Sequence, residues 1–157
     1  MVVLFAAIAI AASAAAGSEP QAPGAKAAEA AAPASDAPQL RFEPFQDDAF
    51  IAARKSGAPV VLYFEADWCA PCREMHARTF PAPQVLSASS GIRFFRVDMT
   101  KPNRYLALVQ ESFQILGEPT VVIFGPDGKE RSRRFGFVPP DDFAKMLSES
   151  RTPPPGT

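Results

Sequence analysis

Two cysteines, separated by two residues, constrain this chain more than any other feature. They lie in Ala66-Asp67-Trp68-Cys69-Ala70-Pro71-Cys72-Arg73 and are the only cysteines among 157 residues. An apolar, β-branched run precedes them (Pro59-Val60-Val61-Leu62-Tyr63-Phe64), and residues 73–78 contain neither Gly nor Pro. That order predicts a strand, a short loop and a helix, with the cysteines at the helix start. The first helical N–H groups have no intrahelical partner, and the positive end of the helix dipole faces a sulfur placed there. Cys69, at the open terminus, reads as the attacking sulfur. Cys72, one turn in, faces back toward the sheet and resolves a mixed disulfide. Pro71 fits the first turn, where its missing N–H costs little.

Two other uses of the cysteines are weaker. A disulfide closing so short a loop removes little entropy from the unfolded chain, which argues against a plain staple. His76 follows Cys72 by one helical turn, but two cysteines and one histidine fall short of the four ligands of structural zinc.

The length allows one domain plus tails. The net charge is −1 and the basic residues are scattered, so no nucleic-acid surface is expected. Arg131, Arg133 and Arg134 form the densest basic cluster and read as a solvated strand face. With only two cysteines the core must be hydrophobic, and 13 Phe supply much of it.

Residues 1–16 are apolar and uncharged, the pattern of an export signal, with Ala14 and Ala16 as the small residues of a cleavage site before Gly17. No Lys or Arg precedes the run, so either the start lies upstream or the signal is weak. An uncleaved membrane anchor is the alternative, though the run is short of the roughly 20 residues a span needs. Residues 17–39 are dominated by Ala, Pro, Ser, Glu and Gln and cannot bury enough surface to offset the entropy of ordering. They read as a disordered linker, and residues 151–157 as a disordered tail.

The folded domain is expected over residues 40–150. A short extended segment (40–45) precedes a helix (47–56) capped by Asp47 and stopped by Gly57. Strands are expected at 59–65, 92–98, 120–124 and 130–137. Helices are expected at 69–78, 84–88, 102–113 and 139–150, the 102–113 helix facing inward with Leu106, Val109 and Phe113 and the 139–150 helix with Phe143, Met146 and Leu147. Strands alternating with helices, then a hairpin at Gly125-Pro126-Asp127-Gly128, then a helix, give an α/β architecture with helices on both faces.

This order, with Trp68-Cys69-Ala70-Pro71-Cys72 after the first long strand, resembles the thioredoxin-like family. Gly117-Glu118-Pro119-Thr120 is a second match: the resemblance implies that Pro119 is a cis-proline facing the redox pair. It also implies a central mixed sheet of four to five strands. A closer resemblance is to the C-terminal periplasmic domains of the DsbD transmembrane reductases. It rests on Ala66-Asp67-Trp68-Cys69, Cys72-Arg73-Glu74-Met75, Thr79-Phe80, Pro83-Gln84-Val85, Gly128-Lys129-Glu130 and Phe135-Gly136-Phe137. Those domains take electrons from a membrane-embedded thiol pair and pass them to periplasmic proteins.

The chain departs from the family at two carboxylates that help move the proton of the resolving thiol. Tyr63 stands six residues before Cys69 where the family has Asp, and His76 stands four residues after Cys72 where the family has Glu. His76, hydrogen-bonded to Tyr63, is expected to take over that proton handling. Asp67 and Glu118 are acidic neighbours that disfavour a thiolate, which points to a reducing pair.

The expectation is therefore an exported protein-disulfide reductase of the periplasm that needs no cofactor. Its partners are disulfide-containing periplasmic proteins and a membrane-embedded thiol electron donor. Cys69, Cys72, Pro119, Trp68 and His76 carry the chemistry; Trp68, Glu118 and Pro119 meet the partner, with Glu118 favouring cationic peptides. A thioredoxin-like reductase of cytochrome c maturation and a Cu(I)-binding module using Cys69, Cys72 and His76 are the alternatives.

Overall fold

The computed structural model describes residues 39–152. The expectations for residues 1–16 and for most of the linker and tail fall outside that range. Strand β2 (Val60–Glu65) is buried along its whole length and forms the middle of a five-stranded sheet. The sheet order is β1 (Phe42–Pro44), β3 (Arg93–Asp98), β2, β4 (Thr120–Phe124) and β5 (Glu130–Phe135). The three strands β1, β3 and β2 run parallel; β4 and β5 are antiparallel to their neighbours. The extended segment expected near residue 40 thus becomes the fifth, edge strand.

Alternation along β2 divides the core. Val60, Leu62 and Phe64 face a layer shared with Phe50 and Ala53 of α1 (Asp47–Lys55) and Val109 of α4 (Arg104–Ser112). Val61 and Tyr63 face the other layer, with Met75, Val85 of α3 (Pro83–Ala88) and Phe143, Met146 and Leu147 of α5 (Pro140–Glu149). This is the period-two pattern of a strand buried on both faces. Phe50 anchors the first layer, its ring 5.4–5.6 Å from those of Phe45, Phe95, Phe113 and Phe124. Truncating so buried a ring costs about 3–5 kcal/mol.

Several boundaries differ from expectation for local reasons. Gln46, not Asp47, is the N-cap of α1, and Asp47 and Asp48 fill the first turn. Asn103 caps α4 by accepting the Leu106 N–H at 2.9 Å, so that helix starts after residue 102. The helix carrying the cysteines is α2 (Ala70–Glu74), and it widens into a π turn (Met75–Thr79). The Phe80 N–H reaches back to the Met75 carbonyl at 2.9 Å, five residues away. Strand β5 is an edge of the sheet, where Arg131 and Arg133 pair with Asp127 and Glu130. Arg134 is exposed, but the Arg131 side chain is only 10% exposed, so the basic cluster is only in part the solvated strand face expected. No helix among the described residues is long and apolar enough to cross a membrane.

Candidate active site

Phe64 pairs with Thr120 across the antiparallel β2–β4 ladder. The segment after Phe64, which leads to the cysteines, and the segment before Thr120, which holds Glu118 and Pro119, therefore leave the sheet at the same end. Cys69 is the N-cap of α2 and is joined to Cys72 in a disulfide, with Cα atoms 5.3 Å apart. The Cys72 N–H donates to Cys69 Sγ at 3.1 Å. An N-terminal amide thus points at the first sulfur and would stabilise negative charge there. Both cysteines are covered, at 3% and 2% exposure, because they pack into the core layer of Phe64 and Ala66. The expected openness of Cys69 is not what separates the two; the amide is.

The peptide bond before Pro119 is cis. The Pro119 carbonyl accepts the Gly136 N–H at 2.8 Å, so the loop is tied to the end of β5. A Cβ at Gly117 would stand 3.1 Å from Phe135 Cε2, so any larger residue there has to displace that ring. Large apolar side chains remain exposed on these segments, namely Trp68 (61%), Leu116 (95%) and Phe135 (68%). Glu118 is half-buried, and burial holds its carboxyl above the usual carboxylate range. Among the described residues it forms no ion pair. Asp67 is exposed; its N–H donates to Thr100 Oγ1 at 2.9 Å and its carbonyl accepts from Arg73 Nη1 at 2.8 Å.

The expected hydrogen bond between His76 and Tyr63 does not form. Tyr63 Oη is buried with no hydrogen-bond partner among the described residues. The His76 and Tyr63 rings meet edge-on, with centroids 5.9 Å apart. His76 Nε2 instead donates to Glu65 Oε2. Arg96 Nη1 of β3 stands 3.3 Å from Glu65 Oε1. Glu65 is thus a buried carboxylate held by an imidazole and a guanidinium, and the sequence reading passed over it. Its signal was available: it is the one charged residue in an otherwise apolar strand. Among the described residues no three His, Cys, Asp or Glu side chains converge as a metal-ligand set. The Cys69, Cys72 and His76 triad of the copper alternative is therefore not assembled, because His76 is turned to Glu65.

Comparison with known proteins agrees with this geometry. A family model described as a thioredoxin-like domain matches residues 46–151. The thiol:disulfide interchange protein DsbD 2 of Pseudomonas aeruginosa is 38% identical over 88 residues, covering 56% of this chain and 15% of that protein. The DsbD of Pseudoalteromonas atlantica is 39% identical over 100 residues, covering 62% and 17%. The chain therefore spans under a fifth of the length of these relatives. The reduced C-terminal domain of DsbD from Neisseria meningitidis superposes with a TM-score of 0.60 at 31% identity, covering 69% of this chain and all of that domain. With its sheet order, its cysteine pair at the start of α2 and these matches, the chain belongs to the thioredoxin-like family.

Proposed function

We propose that this chain is an exported thiol-disulfide oxidoreductase that reduces disulfides of periplasmic proteins. The observation that carries the reading is the Cys69–Cys72 pair at the start of α2, with the Cys72 amide on Cys69 Sγ. In the reduced protein the Cys69 thiolate attacks a partner disulfide, and one partner sulfur leaves as thiolate. Cys72 then attacks Cys69 Sγ, the mixed disulfide breaks, and the second partner sulfur leaves. Two electrons pass from the pair to the partner. A membrane-embedded thiol protein returns them, as the likeness to DsbD suggests.

Trp68 and Glu118 face the partner beside the buried Pro119, and the exposed rings of Trp68 and Phe135 offer it apolar area. Residues 1–16 carry the export signal. The half-buried carboxylate of Glu118 adds negative potential near Cys69, which favours a thiol over a thiolate and hence a reducing pair. Insulin reduction by the metal-free protein tests the reading. Wild type should reduce insulin, Cys69→Ser should be inactive, and Cys72→Ser should accumulate mixed disulfides. Insulin left intact by the reduced wild type would refute it.

A further inference from the structure

Glu65 is a buried ionisable group that the exchange steps above do not use. It is the last residue of β2, directly before the cysteine loop. His76 sits in the π turn, one turn beyond Cys72. Their contact closes a noncovalent ring that contains both cysteines. Arg96 steadies the carboxylate from β3. The His76 ring is walled by Phe80, Tyr63 and Phe42, at centroid distances of 5.0, 5.9 and 6.3 Å.

The ring matters most when the disulfide is open. At the mixed-disulfide stage Cys69 is bonded to the partner, and the Cys69–Cys72 bond no longer ties the helix start to the loop. Two other side-chain ties hold the loop: Asp67 N–H to Thr100 Oγ1, and Arg73 Nη1, from the residue after Cys72, to the Asp67 carbonyl. The Glu65–His76 pair instead joins β2 to the turn that follows Cys72.

We propose that Glu65, acting through His76, is a positioning residue for the resolving step, holding Cys72 in line to attack Cys69 Sγ. The proposal rests on the reading of the chain as a dithiol oxidoreductase. In that step the new bond joins Cys72 Sγ to Cys69 Sγ and the bond from Cys69 to the partner sulfur breaks. The departing sulfur carries the electron pair, and the Cys72 proton goes to solvent. An intramolecular attack owes its speed to orientation, and a displacement of about 1 Å costs on the order of 100-fold.

The test uses the reduced full chain and one equivalent of 5,5′-dithiobis(2-nitrobenzoate). The first thionitrobenzoate released reports attack by Cys69; the second reports resolution by Cys72. Glu65→Leu and His76→Leu should each slow the second release by about 10- to 100-fold while the first stays within about twofold of wild type. Glu65→Gln, which keeps an oxygen for His76 Nε2, should restore the second release to within about threefold. His76 is exposed, so His76→Leu keeps the test alive if Glu65→Leu does not fold. A second release at the wild-type rate in His76→Leu, or equal slowing of both releases, overturns the proposal. A wild-type protein that releases no thionitrobenzoate overturns the oxidoreductase reading itself.

Discussion

Two sets of substitutions remove the same ion contacts but leave different charges behind. Glu65→Leu deletes a carboxylate whose side chain is 11% exposed and leaves His76 and Arg96, each 45% exposed, in contact with water. The double variant His76→Leu/Arg96→Leu does the reverse and strands the buried carboxylate. Breaking a buried pair from one side costs about 3–5 kcal/mol, whereas replacing the buried charge by an apolar group is close to neutral, within about 1 kcal/mol. For a domain of this size 1 kcal/mol moves Tm by about 4 °C. Glu65→Leu should therefore stay within about 4 °C of wild type, and the double variant should fall by about 12–20 °C at pH 7. Thermal unfolding of the oxidised proteins at pH 7, followed by far-ultraviolet circular dichroism, reads this directly. A Glu65→Leu loss as large as that of the double variant would refute the reasoning.

Four further outcomes are expected. Burial raises the Glu118 pKa, so the folded state loses stability as pH climbs past the ordinary carboxylate range. Glu118→Gln should be the more stable protein at pH 7 and lose that advantage at low pH in urea titrations. The same carboxylate should make a lysine-flanked peptide disulfide react about tenfold faster than a glutamate-flanked one, about 1.4 kcal/mol, and Glu118→Gln should level the two rates. Trp68 is largely exposed, so Trp68→Ala should lower the rate of insulin reduction several-fold with Tm unchanged; a fall in Tm would mean the ring packs in the core. Tyr63→Phe removes a fully buried hydroxyl that has no partner among the described residues, and should raise stability by about 1 kcal/mol in denaturant melts.

The strand–loop–helix order around Cys69 and Cys72 was legible because periodicity, β-branching and the position of Pro71 all point the same way. The helix faces of Phe143, Met146 and Leu147, and of Leu106, Val109 and Phe113, were readable for the same reason. The π turn was not, because a single wide turn of five residues is too short to set an apolar period of its own. Nor was the role of β1, whose three residues are fixed by pairing to Phe94, Phe95 and Arg96 rather than by their own propensity. The partner of His76 was misjudged because i+4 spacing says which residues share a helix face but not what a strand presents to it. Tyr63 and Glu65 project from the same side of β2, and the carboxylate is the group that reaches the imidazole.

The reduction potential of the Cys69–Cys72 pair, measured at equilibrium against glutathione, tests the central claim most directly. A reductase fed by a membrane thiol donor should give a value near about −270 mV. A value near about −120 mV would make the pair a donor of disulfides and contradict the account.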